Sequence, residues 1–472
     1  MLITLECVIL ALQAVAAVKI ALESPTGITS QSSNRLSKRS PVELGRDADQ
    51  CFTIKSNVNG INLNLLVESE ALGIIVPLPS SSDDVGLAIQ SVSSGEPFII
   101  KYRDKQYKGV TSTATVTIPG TRITDIKLPV IAVEKQSADI VGISPNLDGI
   151  FGFAYSSLSN QHSRVPAMDA LHTSDVIPNN EVGLQLCPYD MISNSFINIG
   201  NTDITAKCGT DGRSVAWVQS PTTDRHTVNI KSILVNGKPV ELPVEFQKKE
   251  ENGRTLYSVI QTCCIFMHFP KVVVTALVKA IVGSNAITVK KTKSEHKRKL
   301  TPEEIEKIFW EHHAMPKSNL HINWNKLPSL TITMFSQTPV TDDNSNSVVE
   351  ITLGPKDYIQ RYDSENFWFT VEAGSNNKAV LGIPFMTQLT VTFDRQNKRI
   401  GFAPGCGCET ATDGYPTISN GDQVLWSPSQ LPEQPSTSSS DGRSGLRRSL
   451  LRLGSIRRGS KRSKVSYEKF EG

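Results

Sequence analysis

Along residues 50–408, short apolar runs alternate with turn residues. Valine, isoleucine and leucine dominate these runs, and such runs between turns are typical of the strands of a large all-β protein. Asn59-Gly60 and Asn236-Gly237 predict tight hairpin turns, because asparagine and glycine readily adopt the left-handed backbone conformations that these turns require. The predicted strands fall on Cys51–Ile54, Ile61–Val67, Leu72–Pro77, Phe98–Tyr102, Leu128–Val133, Phe196–Ile199 and Val228–Val235.

Helical patterns are few along the same region. Lys271–Ile281 follows Pro270 and has the apolar spacing of a buried helix. A second helix is predicted over Pro302–His313, because Thr301 and Glu304 form a capping box around a proline at the first helical position. The Lys290–Lys299 segment, with six Lys or Arg residues in ten, is expected to be an exposed loop within an insertion spanning residues 284–316.

The N-terminal end of the chain is apolar. Residues 2–18 are almost uninterrupted by polar side chains and close on the small residues 14–17. This pattern indicates a signal peptide over residues 1–17, with a buried N-terminal helix or strand as the alternative. Residues 18–49 are then a pro-segment or a linker, and Lys38-Arg39 is either a dibasic cleavage site or a solvated pair.

The C-terminal residues 409–472 differ in composition from the body. Residues 409–442 are rich in Ser, Pro, Gly, Thr and Asp, which is typical of a linker. The segment Arg443–Lys464 carries nine Lys or Arg residues with leucines between them. It is interpreted as a disordered, solvated tail, and the alternative is an amphipathic helix on an anionic membrane surface.

Composition narrows the function classes only slightly. The 472 residues include 49 Lys+Arg and 46 Asp+Glu, so the formal charge of +3 argues against a general nucleic-acid binder. The hydrophobic fraction of 39% suits an ordinary globular protein of two or three domains. No apolar run is long enough to predict a transmembrane helix, apart from the N-terminal segment.

A sequence pattern that occurs once in each half of the chain indicates a duplicated architecture. In the first half a strand ends on Glu68, and the apolar-glycine segment 148–155 follows some eighty residues later. In the second half a strand ends on Gln261, and Ala379–Gly382 follows. This layout, together with residues 380–386 and the sequence Phe393–Ala403, strongly resembles the pepsin family of aspartic peptidases. Further stretches resemble the β-secretase (memapsin) branch of that family: residues 148–155, 182–187, the strand of Trp217, and 269–271.

The resemblance covers about Cys51 to Cys406 and implies a bilobal, all-β fold. Its N-terminal lobe is expected over residues 50–215 and its C-terminal lobe over 216–408, with a substrate cleft between them and a flap above the cleft. Tyr102 lies at the position of the flap tyrosine. Lys105 belongs to a charged tip that replaces the small, glycine-bearing tip of the family.

The catalytic positions depart from the family pattern. A pepsin-like peptidase uses two aspartates that share a proton, each in an Asp-Thr/Ser-Gly turn. Here the turns read Glu68-Ser69-Glu70 and Gln261-Thr262-Cys263. Ser69 and Thr262 keep the hydroxyls, but Glu68 is one methylene longer than aspartate and Gln261 has no exchangeable proton. The turns predict an inactive peptidase.

The resemblance also guides the cysteine predictions. Cys187 matches a family half-cystine, so it is expected to pair with Cys406 or Cys408. Cys51 and Cys208 are expected to pair with each other or with the remaining C-terminal cysteine.

Cys263-Cys264 is interpreted as two small buried apolar side chains. No metal site or cofactor is predicted, because Glu311-His312-His313 places adjacent histidines on different sides of a helix.

Three functions remain in competition on the sequence alone. The first, which the turns favour most, is a catalytically impaired homologue that binds a peptide or protein in the old cleft. The second is an active, β-secretase-like aspartic endopeptidase, and the third is a scaffold ectodomain with a basic interaction tail. The protein is expected to be a monomer of the secretory pathway, in the extracellular or endolysosomal lumen and with membrane association through Arg443–Lys464 as an option.

Overall fold

The structure, a computed structural model, describes most of the body of the chain. The described residues are 19–21, 51–77, 95, 97–102, 105–133, 148–155, 166–188, 195–200, 215–248, 255–290, 297–408 and 414–426. The predicted signal peptide, Cys208 and the basic segment Arg443–Lys464 lie outside them.

Strands account for most of the regular structure. Those of the first half are β1 (Lys19–Ala21), β2 (Thr53–Val58), β3 (Ile61–Glu68), β4 (Ile74–Pro77), β5 (Pro97–Tyr102), β6 (Lys105–Thr117), β7 (Ile126–Val133), β8 (Gly149–Gly152), β9 (Glu181–Gln185) and β10 (Phe196–Ile199). Those of the second half are β11 (Ala216–Gln219), β12 (Thr227–Val228), β13 (Ile230–Val235), β14 (Lys238–Pro239), β15 (Ser258–Ile260), β16 (Met267–Phe269), β17 (Ile287–Lys290), β18 (Lys297–Lys299), β19 (Met315–Pro316), β20 (Leu320–Ile322), β21 (Leu330–Phe335), β22 (Val348–Leu353), β23 (Ile359–Arg361), β24 (Asn366–Phe369), β25 (Val371–Ala373), β26 (Val380–Leu381), β27 (Leu389–Asp394), β28 (Arg399–Pro404), β29 (Thr417–Asn420) and β30 (Gln423–Trp426).

Helices are short in the described part of the chain. They are α1 (Ala167–Thr173), α2 (Lys271–Ser284), α3 (Pro302–Phe309), α4 (Pro355–Tyr358) and α5 (Ile383–Met386), with one 3₁₀ turn at Trp324–Lys326. The all-β prediction is confirmed.

The two halves repeat one sheet topology, as expected for a duplicated, bilobal fold. In the first half β8 lies parallel to β3 and antiparallel to β4, and β4 lies parallel to β7. In the second half β26 lies parallel to β15 and antiparallel to β16, and β16 lies parallel to β25. The end of β3 therefore lies beside β8, and the end of β15 lies beside β26. This places the Glu68 and Gln261 turns at equivalent points of the two halves.

A six-stranded sheet joins the two halves, in the order β1-β10-β9-β27-β28-β11. Strands β9 and β10 come from the first half, and the hairpin β27–β28 comes from the end of the second, with Thr392 opposite Gly183. Its apolar side chains belong to one large buried cluster that runs through both lobes. Because this core is continuous, the positions of the two turns are fixed relative to each other.

The turn chemistry predicted from the sequence is confirmed at both Asn-Gly pairs. Asn59 and Gly60 have φ angles of 51° and 89°, and Asn236 and Gly237 have φ angles of 51° and 74°. Both pairs connect antiparallel strands. Positive φ at two successive residues matches the right-handed twist of the flanking strands.

The second predicted helix is shorter than its sequence pattern suggested. Thr301 caps α3 and forms the expected capping box with Glu304, but the helix ends at Phe309 rather than at His313. His312 adopts a left-handed backbone with φ of 53°, and the amide of His313 donates to the carbonyl of Lys307. The left-handed residue and this hydrogen bond end the helix, since a residue in the left-handed conformation is common just after the last turn of a helix.

Two other predictions need correction. Lys290–Lys299 is not simply a loop, because β17 and β18 pair in an antiparallel hairpin and join β20 in a three-stranded sheet. The C-terminal lobe does not end at residue 408, because β29 pairs with β22, and β30 extends the same sheet. Ile418 is fully buried there, so an inward-facing side chain anchors a segment whose composition resembles a linker.

Among the residues that the structure describes, no helix is both long and apolar enough to cross a membrane.

Candidate active site

Each half places a polar residue at the tip of a strand, beside a glycine. Strand β3 ends on Glu68 next to Gly152 of β8, where an added Cβ would come within 2.3 Å of the carbonyl oxygen of Ala71. Gln261 follows β15 and lies beside Gly382, where an added Cβ would come within 2.3 Å of the carbonyl oxygen of Cys264. The glycines of the two apolar-glycine segments thus allow the turns to pack closely against the returning strands.

Ser69 and Thr262 link the two turns through reciprocal hydrogen bonds. The amide of Ser69 donates to Thr262 Oγ1 at 2.9 Å, and the amide of Thr262 donates to Ser69 Oγ at 3.1 Å. Each hydroxyl also donates across the interface, Ser69 Oγ to the carbonyl of Ile260 and Thr262 Oγ1 to that of Val67, both at 2.9 Å. Both side chains are buried. The scaffold of a two-turn active site is therefore complete.

Glu68 directly precedes Ser69 of this scaffold, at the predicted first catalytic position. The residue is fully buried, and its Oε1 accepts a hydrogen bond from the amide of Glu70 at 3.1 Å. The longer side chain thus folds back toward its own turn. In the equivalent position of the other turn, Gln261 is half-buried and neutral. A pair of Glu and Gln cannot share a proton in the way that two aspartates do.

Glu70 forms an ion pair with the second half of the chain. Its Oε1 lies 3.5 Å from Arg225 Nη1, an ion pair that reaches from the first turn to the second half of the chain. The side chains of Glu70 and Arg225 are 20% and 41% exposed. Arg225 was not a candidate from the sequence, because a single arginine between strands carries no local signal for a partner 155 residues away.

A disulfide occupies the glycine position of the second turn. Cys263 is bonded to Cys51, with the two Cα atoms 4.8 Å apart, and both residues are buried. The predictions that Cys51 pairs with Cys208 or a C-terminal cysteine, and that Cys263 is only a small apolar side chain, are therefore wrong. The bond links the segment just before β2 to the second turn, so the two halves are covalently joined at the candidate site.

The other cysteine predictions have separate outcomes. The disulfide Cys187–Cys406 is confirmed. Cys408 is also disulfide-bonded, whereas the prediction for Cys208 lies outside the described residues. Cys264 remains a thiol, half-buried beside His268.

The hairpin predicted to be the flap is formed in the backbone. Strands β5 and β6 pair in antiparallel register, with Tyr102 opposite Lys105. Gly109 lies further along β6, where an added Cβ would come within 2.3 Å of the carbonyl oxygen of Ala132 on β7. The tip residues 103 and 104 lie outside the described residues.

Arg395 ties the two halves together below the site. Its side chain is 1% exposed, and Nη1 lies 2.6 Å from Asp169 Oδ1 of α1. Nε donates to the carbonyl of Phe153 at 2.9 Å, and Nη2 donates to that of Ala154 at 3.0 Å. The last two residues directly follow β8, so the arginine positions the segment beside Glu68.

His226 is buried next to this arginine and is electrically neutral. Its Nε2 donates to the carbonyl of Phe153 at 3.1 Å, and its ring packs against those of Phe153, Tyr155 and Phe393. The pKa of His226 is lowered to about 3, mainly by burial; the hydrogen bond to Phe153 acts in the opposite direction, and the positive charge of Arg395 adds to the lowering. The folded protein thus keeps this histidine uncharged over most of the acid range.

This burial predicts a loss of stability in acid. Unfolded His226 has a pKa of about 6.5, so below that pH the unfolded state binds a proton that the folded state does not. The stability is fully present above about pH 6.5 and is lost toward the folded pKa of about 3, by about 1 kcal/mol per pH unit. His226→Phe is expected to remove this part of the slope in urea unfolding measured from pH 7 to pH 4.

A matched variant separates this effect from general acid sensitivity. His313 is exposed, with 58% of its side chain accessible, so His313→Gln should leave the slope of the wild type unchanged. Equal slopes for His226→Phe and the wild type would contradict the assignment.

Among the described residues, no group of three or more His, Cys, Asp or Glu side chains has the arrangement of a metal site.

Comparison with known protein families agrees with the geometry. The family model of eukaryotic aspartyl proteases matches residues 88–405, about two thirds of the chain. The protein therefore belongs to the eukaryotic aspartyl protease family. The match includes the Gln261 turn and begins after the Glu68 turn, so the equivalence of Glu68 rests on the repeated topology and on the hydrogen bonds between Ser69 and Thr262.

Proposed function

We propose that this protein is a non-catalytic member of the family, of the β-secretase-like branch, that binds an extended peptide segment in the cleft. The observation that carries the proposal is that the hydrogen bonds between the two turns are preserved while the residues at the two catalytic positions are replaced. The hydroxyl links of Ser69 and Thr262 are complete, whereas the catalytic positions hold a buried Glu68 and a neutral Gln261.

Three features of the site support loss of proteolysis. A neutral amide at position 261 cannot act as the second acid of the pair. Glu70 is held in an ion pair with Arg225. Cys263, in place of glycine, is fixed to Cys51 by a disulfide. Restoring activity would therefore require changes to both turns and removal of a covalent bond.

The flap and the turns support retention of binding. The β5–β6 hairpin is formed and the inter-turn hydrogen bonds are intact. A β-hairpin above a cleft offers backbone groups to an extended peptide, which is a common mode of peptide recognition. The disulfides support a place in the secretory pathway, because such bonds persist in oxidising compartments.

The test of lost catalysis is cleavage of a broad peptide library from acid to neutral pH, with and without pepstatin. The wild type is expected to give no pepstatin-sensitive products. The matched variant carries Glu68→Asp, Glu70→Gly, Gln261→Asp, Cys263→Gly and Cys51→Ala, the last because Cys51 would lose its partner. Its cleavage rate is expected to exceed that of the wild type by at least about 100-fold, the scale of general acid–base catalysis.

Pepstatin-sensitive cleavage by the wild type would overturn the proposal. Binding is tested separately, by selecting peptides from a displayed random library on the immobilised full chain. A selected peptide should slow amide hydrogen exchange in β5 and β6, and Tyr102→Ala should weaken its binding. Asp342→Ala, in an exposed loop between β21 and β22, should not change the affinity. Equal effects of the two variants, or no protection of the flap, would contradict binding in the cleft.

A further inference from the structure

A thiol and an imidazole lie next to the inactive second turn. Cys264 directly follows the half-cystine Cys263, and among the described cysteines it is the one outside a disulfide. Its Sγ lies 3.2 Å from Nε2 of His268, which is within hydrogen-bond distance for sulfur. Both residues are half-buried, so solvent reaches the pair.

The backbone holds this pair in place. His268 is the central residue of β16, and Glu372 is its register partner on the parallel strand β25. The carbonyl of Cys264 accepts a hydrogen bond from the amide of Ile383 at 2.7 Å. Gly374 lies against the histidine, because a Cβ added there would come within 2.9 Å of the Cβ of His268. The positions of the thiol and the imidazole thus follow from two strands and a glycine.

A third group faces the far nitrogen of the imidazole. Glu372 Oε2 lies 3.6 Å from His268 Nδ1, at ion-pair rather than hydrogen-bond distance. Among the described residues, His312, which follows the end of α3, is the other titratable side chain that acts on His268. Burial lowers the pKa of His268, Glu372 raises it, and His312 lowers it. A largely neutral imidazole is available to accept a proton from a thiol near neutral pH.

We infer that Cys264 is a nucleophilic thiol, with His268 as its proton acceptor and Glu372 as the positioning residue of His268, and that it reacts with external disulfides. A nucleophile, a base within hydrogen-bond reach and a third group that orients the base form the arrangement that activates cysteine. Disulfide exchange fits better than acyl transfer, because it requires no oxyanion donors, whereas acyl transfer does.

The exchange balances without a further reactant. The Sγ proton of Cys264 passes to His268 Nε2, and the thiolate attacks one sulfur of a disulfide R–S–S–R. The S–S bond of that disulfide breaks as the bond between Cys264 and R–S forms, and the leaving thiolate takes the proton from His268. The sulfur of Cys264 is oxidised and the leaving sulfur is reduced.

The test measures alkylation of the full chain by iodoacetamide over a range of pH, under non-reducing conditions. An unactivated thiol has a pKa of about 8.5, and a neighbouring histidine lowers it. The wild type is expected to react at Cys264 at least about tenfold faster than His268→Gln near pH 6.5, with the midpoint of its pH profile at lower pH. Glu372→Gln should slow the reaction less and move the midpoint toward higher pH, a change that a purely structural role would not produce.

Glutathione disulfide then tests the reaction itself. A single mixed disulfide at Cys264, located by peptide mapping, is expected for the wild type and not for Cys264→Ser, with Cys51–Cys263 retained in both. Identical pH profiles for the wild type and His268→Gln would overturn the inference. An adduct located at Cys51 or Cys263, or no adduct at all, would overturn it as well.

Discussion

Replacing Arg395 by methionine is expected to lower the free energy of unfolding by about 3–5 kcal/mol, the cost of removing one partner of a buried ion pair. The side chain of Arg395 is 1% exposed and pairs with Asp169. The substitution also leaves the carbonyls of Phe153 and Ala154 without their donor from this arginine. Urea unfolding followed by circular dichroism measures the change.

Two further variants make this result specific. Arg395→Lys keeps the charge but loses the fork of donors, so it should also destabilise, though less than methionine. Arg298 pairs with Glu304 nearer the surface, with 38% of the arginine side chain exposed, so Arg298→Met is expected to destabilise less than Arg395→Met, since solvent screens exposed ion pairs. If Arg395→Met and Arg298→Met had the same effect, the buried network would not be a major source of stability.

The sequence signals that succeeded were local ones. Runs such as Phe196–Ile199 matched a strand without change, and the Asn-Gly pairs formed their turns, because alternation and positive φ depend on a few neighbouring residues. The capping box at Thr301 was equally local. The end of α3 was not local in this sense, because histidine adopts the left-handed backbone only occasionally, so His312 gave no clear stop signal.

The end of the C-terminal lobe was predicted wrongly from composition, because the strand beyond residue 408 contains few apolar residues. In residues 414–426 the strand β29 depends on the single buried side chain of Ile418. Ser, Thr, Pro and Gly around it are typical of a linker, so the segment looked like part of the tail. A pairing with β22, some seventy residues earlier in the chain, decides the structure.

In the candidate site, too, local patterns predicted the residues of the turns, whereas their distant partners were not predicted. Glu68, Gln261, Ser69 and Thr262 were found because the repeated strand-to-turn pattern fixes their register along the chain. The partners of these turns were missed: the bond between Cys51 and Cys263 spans 212 residues, and no sequence spacing indicates it. In the sequence, two adjacent cysteines give no sign of different roles. In the structure, the turn directs Cys263 into a disulfide and Cys264 toward His268.

Removing the disulfide Cys51–Cys263 through paired alanine substitutions is expected to destabilise the protein by about 2–5 kcal/mol. The bond closes a loop of 212 residues across the two halves, so its loss restores much conformational freedom to the unfolded chain. Both sulfurs also belong to a small buried cluster with Leu66, Ile75 and Ile150. Alanine leaves part of that space unfilled, which adds to the cost.

Cys264→Ala provides the matched control for this prediction. It removes a neighbouring sulfur from the same turn but breaks no disulfide, so its effect on urea unfolding should stay within about 1 kcal/mol of the wild type. Because Thr262 is linked to Ser69 by hydrogen bonds, the paired variant should also exchange the amide protons of both turns faster. Equal stability and equal exchange in the paired variant and the wild type would show that hydrogen bonds and the continuous core alone hold the two turns together.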